Sequence, residues 1–361
     1  MFDFIPLQQY AFVYYITILI IVSIVFLNTQ TNNITSFRNK RFITNTSILL
    51  VVFTVLYMGL RPISGRYFGD TATYNGYFML YKKGVAILPG TDYLFHFFTK
   101  ECARIMSAQM YFLICAALFI LPMCFASKFW SKKLWGYSFL FLVTSFSFWA
   151  AGTNGMRSAI ATSFVLMAFS RKGLISKILW FVLAVGFHKS MLLIVGAYIM
   201  TLYVKNIVWY FYGWLLCIPL SLIMPGFWEN LFAGLISDDR VNYLTRGNAE
   251  GEGFAYTGFR WDFLIYSTIP VCFAYYFIYK KKFIDPVYSQ LVGVYLTTNA
   301  FWILVIRANF SNRFAYLSWF MMGIIICYPL TVKRILKNQN QKIGYILIAY
   351  FAFTFLMDAI H

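Results

Sequence analysis

Seven side chains in an otherwise apolar chain have types that could do chemistry together. Arg157 follows Gly152-Thr-Asn-Gly155-Met and opens a helical stretch that continues Ser158-Ala-Ile-Ala161-Thr162-Ser163. His188 sits in Phe187-His188-Lys189-Ser190, and Arg313 begins Arg313-Phe-Ala-Tyr316. Arg66 and Asp70 lie in the segment Arg61 to Tyr74, and Arg260 and Asp262 flank Trp261. Guanidinium forks bind phosphate oxygens in pairs. An imidazole exchanges protons near neutrality. Several arginines, one histidine and one or two carboxylates therefore suit a diphosphate leaving group and a hydroxyl that must be deprotonated. Nothing in the chain has the look of a metal site: there is no Asp-x-Asp and no histidine cluster. The arginines would take over the charge stabilisation a divalent ion gives, and no cofactor is expected.

The elements that must hold these residues are set by composition. Of 361 residues 61% are apolar and 12% charged, against about 25% charged in a soluble domain. Apolar runs near 20 residues recur from end to end, the length a helix needs to cross about 30 Å of hydrocarbon. The runs are continuous, so a β-barrel with alternating segments is rejected. Helices pair their own backbone in lipid, and the fold class expected is an all-α polytopic membrane protein of about 12 transmembrane helices, a single membrane domain over 1–361. The expected spans are 8–27, 43–60, 108–127, 134–152, 157–170, 174–187, 190–204, 207–224, 261–279, 287–306, 314–332 and 343–358. The first has no basic residue before it and no cleavage site after it, so it reads as a span and not a signal peptide. The six cysteines show no CxxC pairing and no zinc spacing, and read as small core residues.

Net charge is +18. The connections 28–42, 128–133, 171–177, 205–206, 280–286 and 333–342 hold 17 of the 30 basic residues and one acid, Asp285. Short, almost purely basic loops mark the cytoplasmic side, which puts both termini outside. Charge spread over several short loops also argues against a nucleic-acid partner. The long connections, about 61–107 and 225–260, then fall on the outer face, where all seven chemistry-bearing residues lie. Within the first, 91–107 is too charged and too short to span, and reads as an interfacial or re-entrant amphipathic helix. The glycines at 247, 251, 253 and 258 make the second a candidate lid. The run 174–204 is too long for one span, so two short helices are expected to meet near His188-Lys189-Ser190. The helix from Arg157 has about 14 residues before Arg171, too few to fill the hydrocarbon layer, so Arg157 is expected below the outer surface at a broken helix, where irregular backbone needs a buried or cavity-lining place.

Four short motifs in order carry a resemblance: Gly69-Asp70-x-x-x-Tyr74, Arg157-Ser-Ala-Ile-Ala161, Phe187-His188-Lys-Ser190 and Arg313-Phe-Ala-Tyr316. Over about 60–330 the chain resembles the EpsG family of bacterial polysaccharide polymerases, which are similar to Wzy-type O-antigen and capsule polymerases. The family usually has Gln after the arginine of the second motif; here it is Ser158. The resemblance implies a GT-C-like glycosyltransferase in the bacterial inner membrane, with a cavity open to the outer face. It implies undecaprenyl-diphosphate-linked oligosaccharides as donor and acceptor, and a chain-length regulator as a partner besides membrane lipid. It assigns Arg157, Arg260 and Arg313 to the diphosphate and His188 or Asp70 to the acceptor hydroxyl, with Arg66, Tyr74, Asp262 and Tyr316 in support. The alternatives are an O-antigen ligase, with a different acceptor, and a flippase or other transporter, which should show two similar halves.

Overall fold

A computed structural model describes residues 4–87, 92–233, 258–308 and 311–360. Every regular element among them is helical. The helices are α1 Tyr10–Thr31, α2 Phe37–Gly59, α3 Gly65–Phe68, α4 Thr71–Lys82, α5 Tyr93–Ile105, α6 Ala108–Trp130, α7 Trp135–Val143, α8 Phe146–Thr153, α9 Met156–Ser170, α10 Leu174–Phe187, α11 Met191–Tyr203, α12 Ile207–Ile223, α13 Phe227–Ala233, α14 Trp261–Tyr275, α15 Pro286–Leu304, α16 Ser311–Trp319, α17 Met322–Val332 and α18 Gln339–Ile360. Among the described residues, five stretches are long and apolar enough to cross a membrane: 7–31, 37–59, 108–130, 261–280 and 311–332. Helices α9 to α12 are apolar but shorter. The chain is a multi-pass membrane protein. Consistent with that, many of its exposed residues are large and apolar, such as Leu49, Ile175, Leu179 and Leu216, as expected of surfaces whose solvent is lipid.

Two compact units are distinguished: residues 1–189 with 327–361, and residues 190–326. In the first, α9 is the buried centre. Every residue from Ala159 to Ser170 is buried, and α6 and α10 pack along it. Its small side chains, Ala159, Ala161 and Ser163, permit that approach, and Ser163 Oγ donates to the Phe119 carbonyl of α6. Helices α1 and α2 are tied by a reciprocal pair: Tyr10 Oη donates to Tyr57 O (2.9 Å) and Tyr57 Oη to Tyr10 O (2.8 Å). Gly136 sets the α2–α7 approach. A Cβ there would lie 2.7 Å from the Ile43 carbonyl oxygen and overlap the Ser47 hydroxyl. Gly136→Ala is therefore expected to cost about 1–3 kcal/mol of overpacking strain, read as a lower unfolding midpoint in detergent.

In the second unit α12 packs on α15 through a polar chain. Trp214 Nε1 donates to Asn299 Oδ1 (2.8 Å), and Asn299 Nδ2 to Ser318 Oγ of α16 (3.0 Å). Ser267 of α14 accepts at its carbonyl from Tyr295 Oη (2.7 Å) and at Oγ from Trp319 Nε1 (2.7 Å). Such bonds hold helices together in lipid, where apolar surfaces gain little from each other.

The chain breaks at His188-Lys189-Ser190, between α10 and α11, as the run length implied. Residues 93–105 form the amphipathic helix expected there, burying Phe95, His96, Thr99, Cys102 and Ala103. Two expectations need correction. The run 134–152 is two helices, broken at Thr144-Ser145, where the Thr144 carbonyl accepts from Thr354 Oγ1 of α18 (2.9 Å) and not from its own helix. The connection 61–107 is mostly helix, α3 to α5. The expected span 314–332 falls in the apolar stretch 311–332, which turns at Phe320-Met321. The glycines at 247, 251 and 253, with Asp238, Asp239 and Arg240, lie outside the described residues, so the lid expectation does too.

Candidate functional site

In the first unit the ends of α8 and α10 and the starts of α4, α5 and α9 come together. Arg61, almost wholly buried, is the rivet. Its guanidinium donates to the carbonyls of Met58 and Thr153 and to Thr71 Oγ1, and Thr71 Oγ1 in turn donates to Thr153 O (2.7 Å). That fixes the start of α4 against the end of α8. Gly69 then turns with φ +51°, and Asn154 Oδ1 accepts from the Asp70 backbone N–H (2.8 Å). A side chain at 69 would be strained by φ and would overlap the Asn154 amide. The Gly69-Asp70 pair of the first motif is thus a backbone requirement that delivers Asp70 and Tyr74 to the site.

The centre is a residue that the sequence reading passed over. Asp92 Oδ2 accepts from Arg157 Nη1 (2.9 Å) and meets His188 Nδ1 at 2.9 Å, while Oδ1 accepts from the Lys189 backbone N–H (3.0 Å). Asp92 and His188 are buried, 6% and 3% exposed at the side chain, and Arg157 is 25% exposed. Asp92 immediately precedes α5, where an aspartate is ordinarily a helix cap, yet its side chain makes no cap bond. In the sequence its place before an amphipathic helix reads as an ordinary cap, and nothing there points beyond that.

Tyr74 is buried, and its hydroxyl lies against the same guanidinium. Burial pushes Tyr74 above its usual pKa, with Arg157 opposing and Asp70 reinforcing the rise. Phe95 of α5 covers Arg157 at 6.0 Å. Arg157 Nε is buried without an acceptor. A charged donor left in that state is costly, and an anionic oxygen would satisfy it.

Burial alone would raise the Asp92 carboxyl, but the His188 hydrogen bond and charge, the Arg157 charge and the Lys189 N–H together hold it down to about 2. Asp92 is therefore an anion throughout the neutral range. Its folded pKa lies below its ordinary 3.8, so its contribution, about 2 kcal/mol, is complete above pH ~4 and is lost as pH falls towards 2. The unfolding midpoint in detergent should drop between about pH 4 and 2, and Asp92→Asn should flatten that drop.

The structure thus brings Asp70, Tyr74, Arg157 and His188 to one place around Asp92. It leaves Arg66 exposed, with its guanidinium 5.6 Å from the Tyr67 ring. His96 of α5 is buried against Tyr81 Oη at 2.8 Å through Nδ1. Arg260, Asp262, Arg313 and Tyr316 belong to the second unit. There Arg260 forks Asp262, Nε to Oδ1 at 3.0 Å and Nη2 to Oδ2 at 2.6 Å, and lies 3.7 Å over Phe263. Arg313 is half-buried on the first turn of α16, and Tyr316 one turn on.

The EpsG family model matches residues 50–360. The chain belongs to the EpsG family. That is a family of Wzy-like polymerases, and the match covers every residue of the site and all four motifs. No curated protein and no solved structure matches the chain. In chemical terms the Asp92 cluster holds one group that can bind an anionic oxygen, Arg157, and one that can move a proton, His188.

Proposed function

We propose that this EpsG-family protein joins undecaprenyl-diphosphate-linked repeat units into polysaccharide on the outer face of a bacterial cytoplasmic membrane. The acceptor sugar hydroxyl attacks the anomeric carbon of the donor glycan. A C–O bond forms, the bond from that carbon to the diphosphate oxygen breaks, and undecaprenyl diphosphate leaves. Arg157 neutralises the charge growing on the diphosphate. His188 takes the hydroxyl proton at Nε2, and Asp92 holds Nδ1–H and so sets the tautomer. Asp70 is the rival base. No divalent ion enters this scheme. The architecture proposed with it is GT-C-like, about 12 crossings with both termini outside, and a chain-length regulator is the protein partner.

What carries the reading is the Arg157–Asp92–His188 cluster in a member of this family: an arginine with an unsatisfied donor beside an imidazole oriented by a carboxylate. The test uses purified protein and a synthetic undecaprenyl-diphosphate-linked repeat unit. The expected products are lipid-linked dimers and longer chains with undecaprenyl diphosphate released. Absence of elongation, or transfer only to a lipid A core acceptor, would remove the proposal.

A further inference from the structure

At the other end of α2 and α6 from the Asp92 cluster lies a second concentration of charge. Residues 34–40, 130–134 and 330–339 enclose a cleft of about 400 Å³. Lys40, Lys132, Lys133, Lys333 and Arg334 line it, and no acidic residue does. Among the described residues, none of these five has a carboxylate partner. Trp130, another lining residue, has a buried indole N–H without an acceptor.

The cleft is built on fixed backbone. Ser131 Oγ donates to Thr331 O (2.9 Å), joining the end of α6 to the end of α17. Gln339, buried, accepts at Oε1 from the N–H groups of Ile335 (2.8 Å) and Leu336 (3.0 Å). Its Nε2 donates to the carbonyls of Leu330 and Lys333 (2.9 Å). One amide thus locks the turn that carries Lys333 and Arg334. The preference for basic loops on one membrane face explains the sign of these residues. It does not explain why three segments, up to 300 residues apart, place five cations round one concavity with no acid among them. Like charges so gathered repel, and a concave site focuses the field on whatever anion enters.

Helix α2 has 23 residues, about 34 Å of rise. It separates this cleft from the Asp92 cluster by roughly the thickness of a hydrocarbon core. The adjoining helix surfaces expose Phe37 (78%), Phe125 (50%) and Phe129 (39%), as fits helices that enter lipid beside it. We infer that the cleft binds the phosphate of an anionic phospholipid head group, at the membrane surface opposite the Asp92 cluster. The lysines and Arg334 contact the phosphate oxygens. The site anchors the ends of α2, α6 and α17 and takes no part in the proposed transfer, so it stands or falls independently of it.

The experiment titrates the purified full chain in neutral detergent with three probes: a short-chain phosphatidylglycerol, phosphatidylcholine of the same chain length and inorganic phosphate. Binding is read by native mass spectrometry and by the rise in unfolding midpoint. Phosphatidylglycerol should bind and stabilise, and phosphatidylcholine should do neither. In Lys132→Gln/Lys133→Gln/Arg334→Gln the affinity should fall on the order of a hundredfold, about fivefold per charge. All three positions are exposed, so the unliganded midpoint should hold. Lys280→Gln/Lys281→Gln/Lys282→Gln, which removes an equal charge at residues that do not line the cleft, should keep wild-type affinity. An equal loss in both triple variants, or none in the first, overturns the site. Inorganic phosphate binding as tightly as the lipid overturns the lipid as its source.

Discussion

Asp92→Asn is expected to slow chain growth by roughly a thousandfold or more, the scale on which removing the carboxylate behind a catalytic imidazole acts. Asparagine is nearly isosteric. Its one oxygen can keep the Lys189 N–H (3.0 Å) at the Oδ1 place, which puts its NH2 at the Oδ2 place, against Arg157 Nη1 and His188 Nδ1 (both 2.9 Å). It then cannot accept a proton-bearing Nδ1. Facing His188, its amide favours the opposite tautomer, with the proton on Nε2, where the acceptor hydroxyl must deliver its own. His188→Ala should cost 10²–10⁴-fold on its own. Because the two residues act as one unit, the double variant should be no slower than the slower single one. Initial rates on the synthetic lipid-linked repeat unit give all four corners of that cycle. Losses that multiply would mean that Asp92 and His188 act separately, and the dyad would be abandoned.

That the decisive partner was missed while its two ligands were found has a physical cause. Arg157 and His188 stood out because ionisable groups are expensive in an apolar chain and because run lengths forced breaks beside them. The break at 188–190 and the 15-residue α9 follow from arithmetic on helix rise, and the structure bears both out. Asp92 carried no such mark. An aspartate before an amphipathic helix has a local explanation as a cap, and only the tertiary fold shows that its carboxylate turns away from its own helix towards residues 65 and 96 positions on. The break at Thr144-Ser145 was hidden for the complementary reason. Hydropathy registers an apolar run, not whether its carbonyls are answered by a neighbouring helix. Gly69 lay in a motif, but its need for φ +51° beside Asn154 is a contact across 85 residues.

Arg157→Ala should leave single lipid-linked units and no polymer in cells lacking the native gene, with the rate in vitro down at least a hundredfold, the scale of losing one preorganised donor to a leaving group. The informative variant is Arg157→Lys. Arg157 has two duties that lysine divides. One is the ion pair with Asp92, which a single ammonium can keep. The other is a planar edge whose Nε is buried and unanswered, which an ammonium cannot reproduce. If the arginine only held α9 against α5, lysine should restore the unfolding midpoint and the rate together. If its open edge receives the departing diphosphate, lysine should restore the midpoint while the rate stays about tenfold or more below wild type. The shortfall should appear in the chemical step and shrink with donors whose leaving group carries less charge. A lysine variant as fast as wild type would leave Arg157 a structural ion pair, and the diphosphate would have to be sought at Arg260 and Arg313.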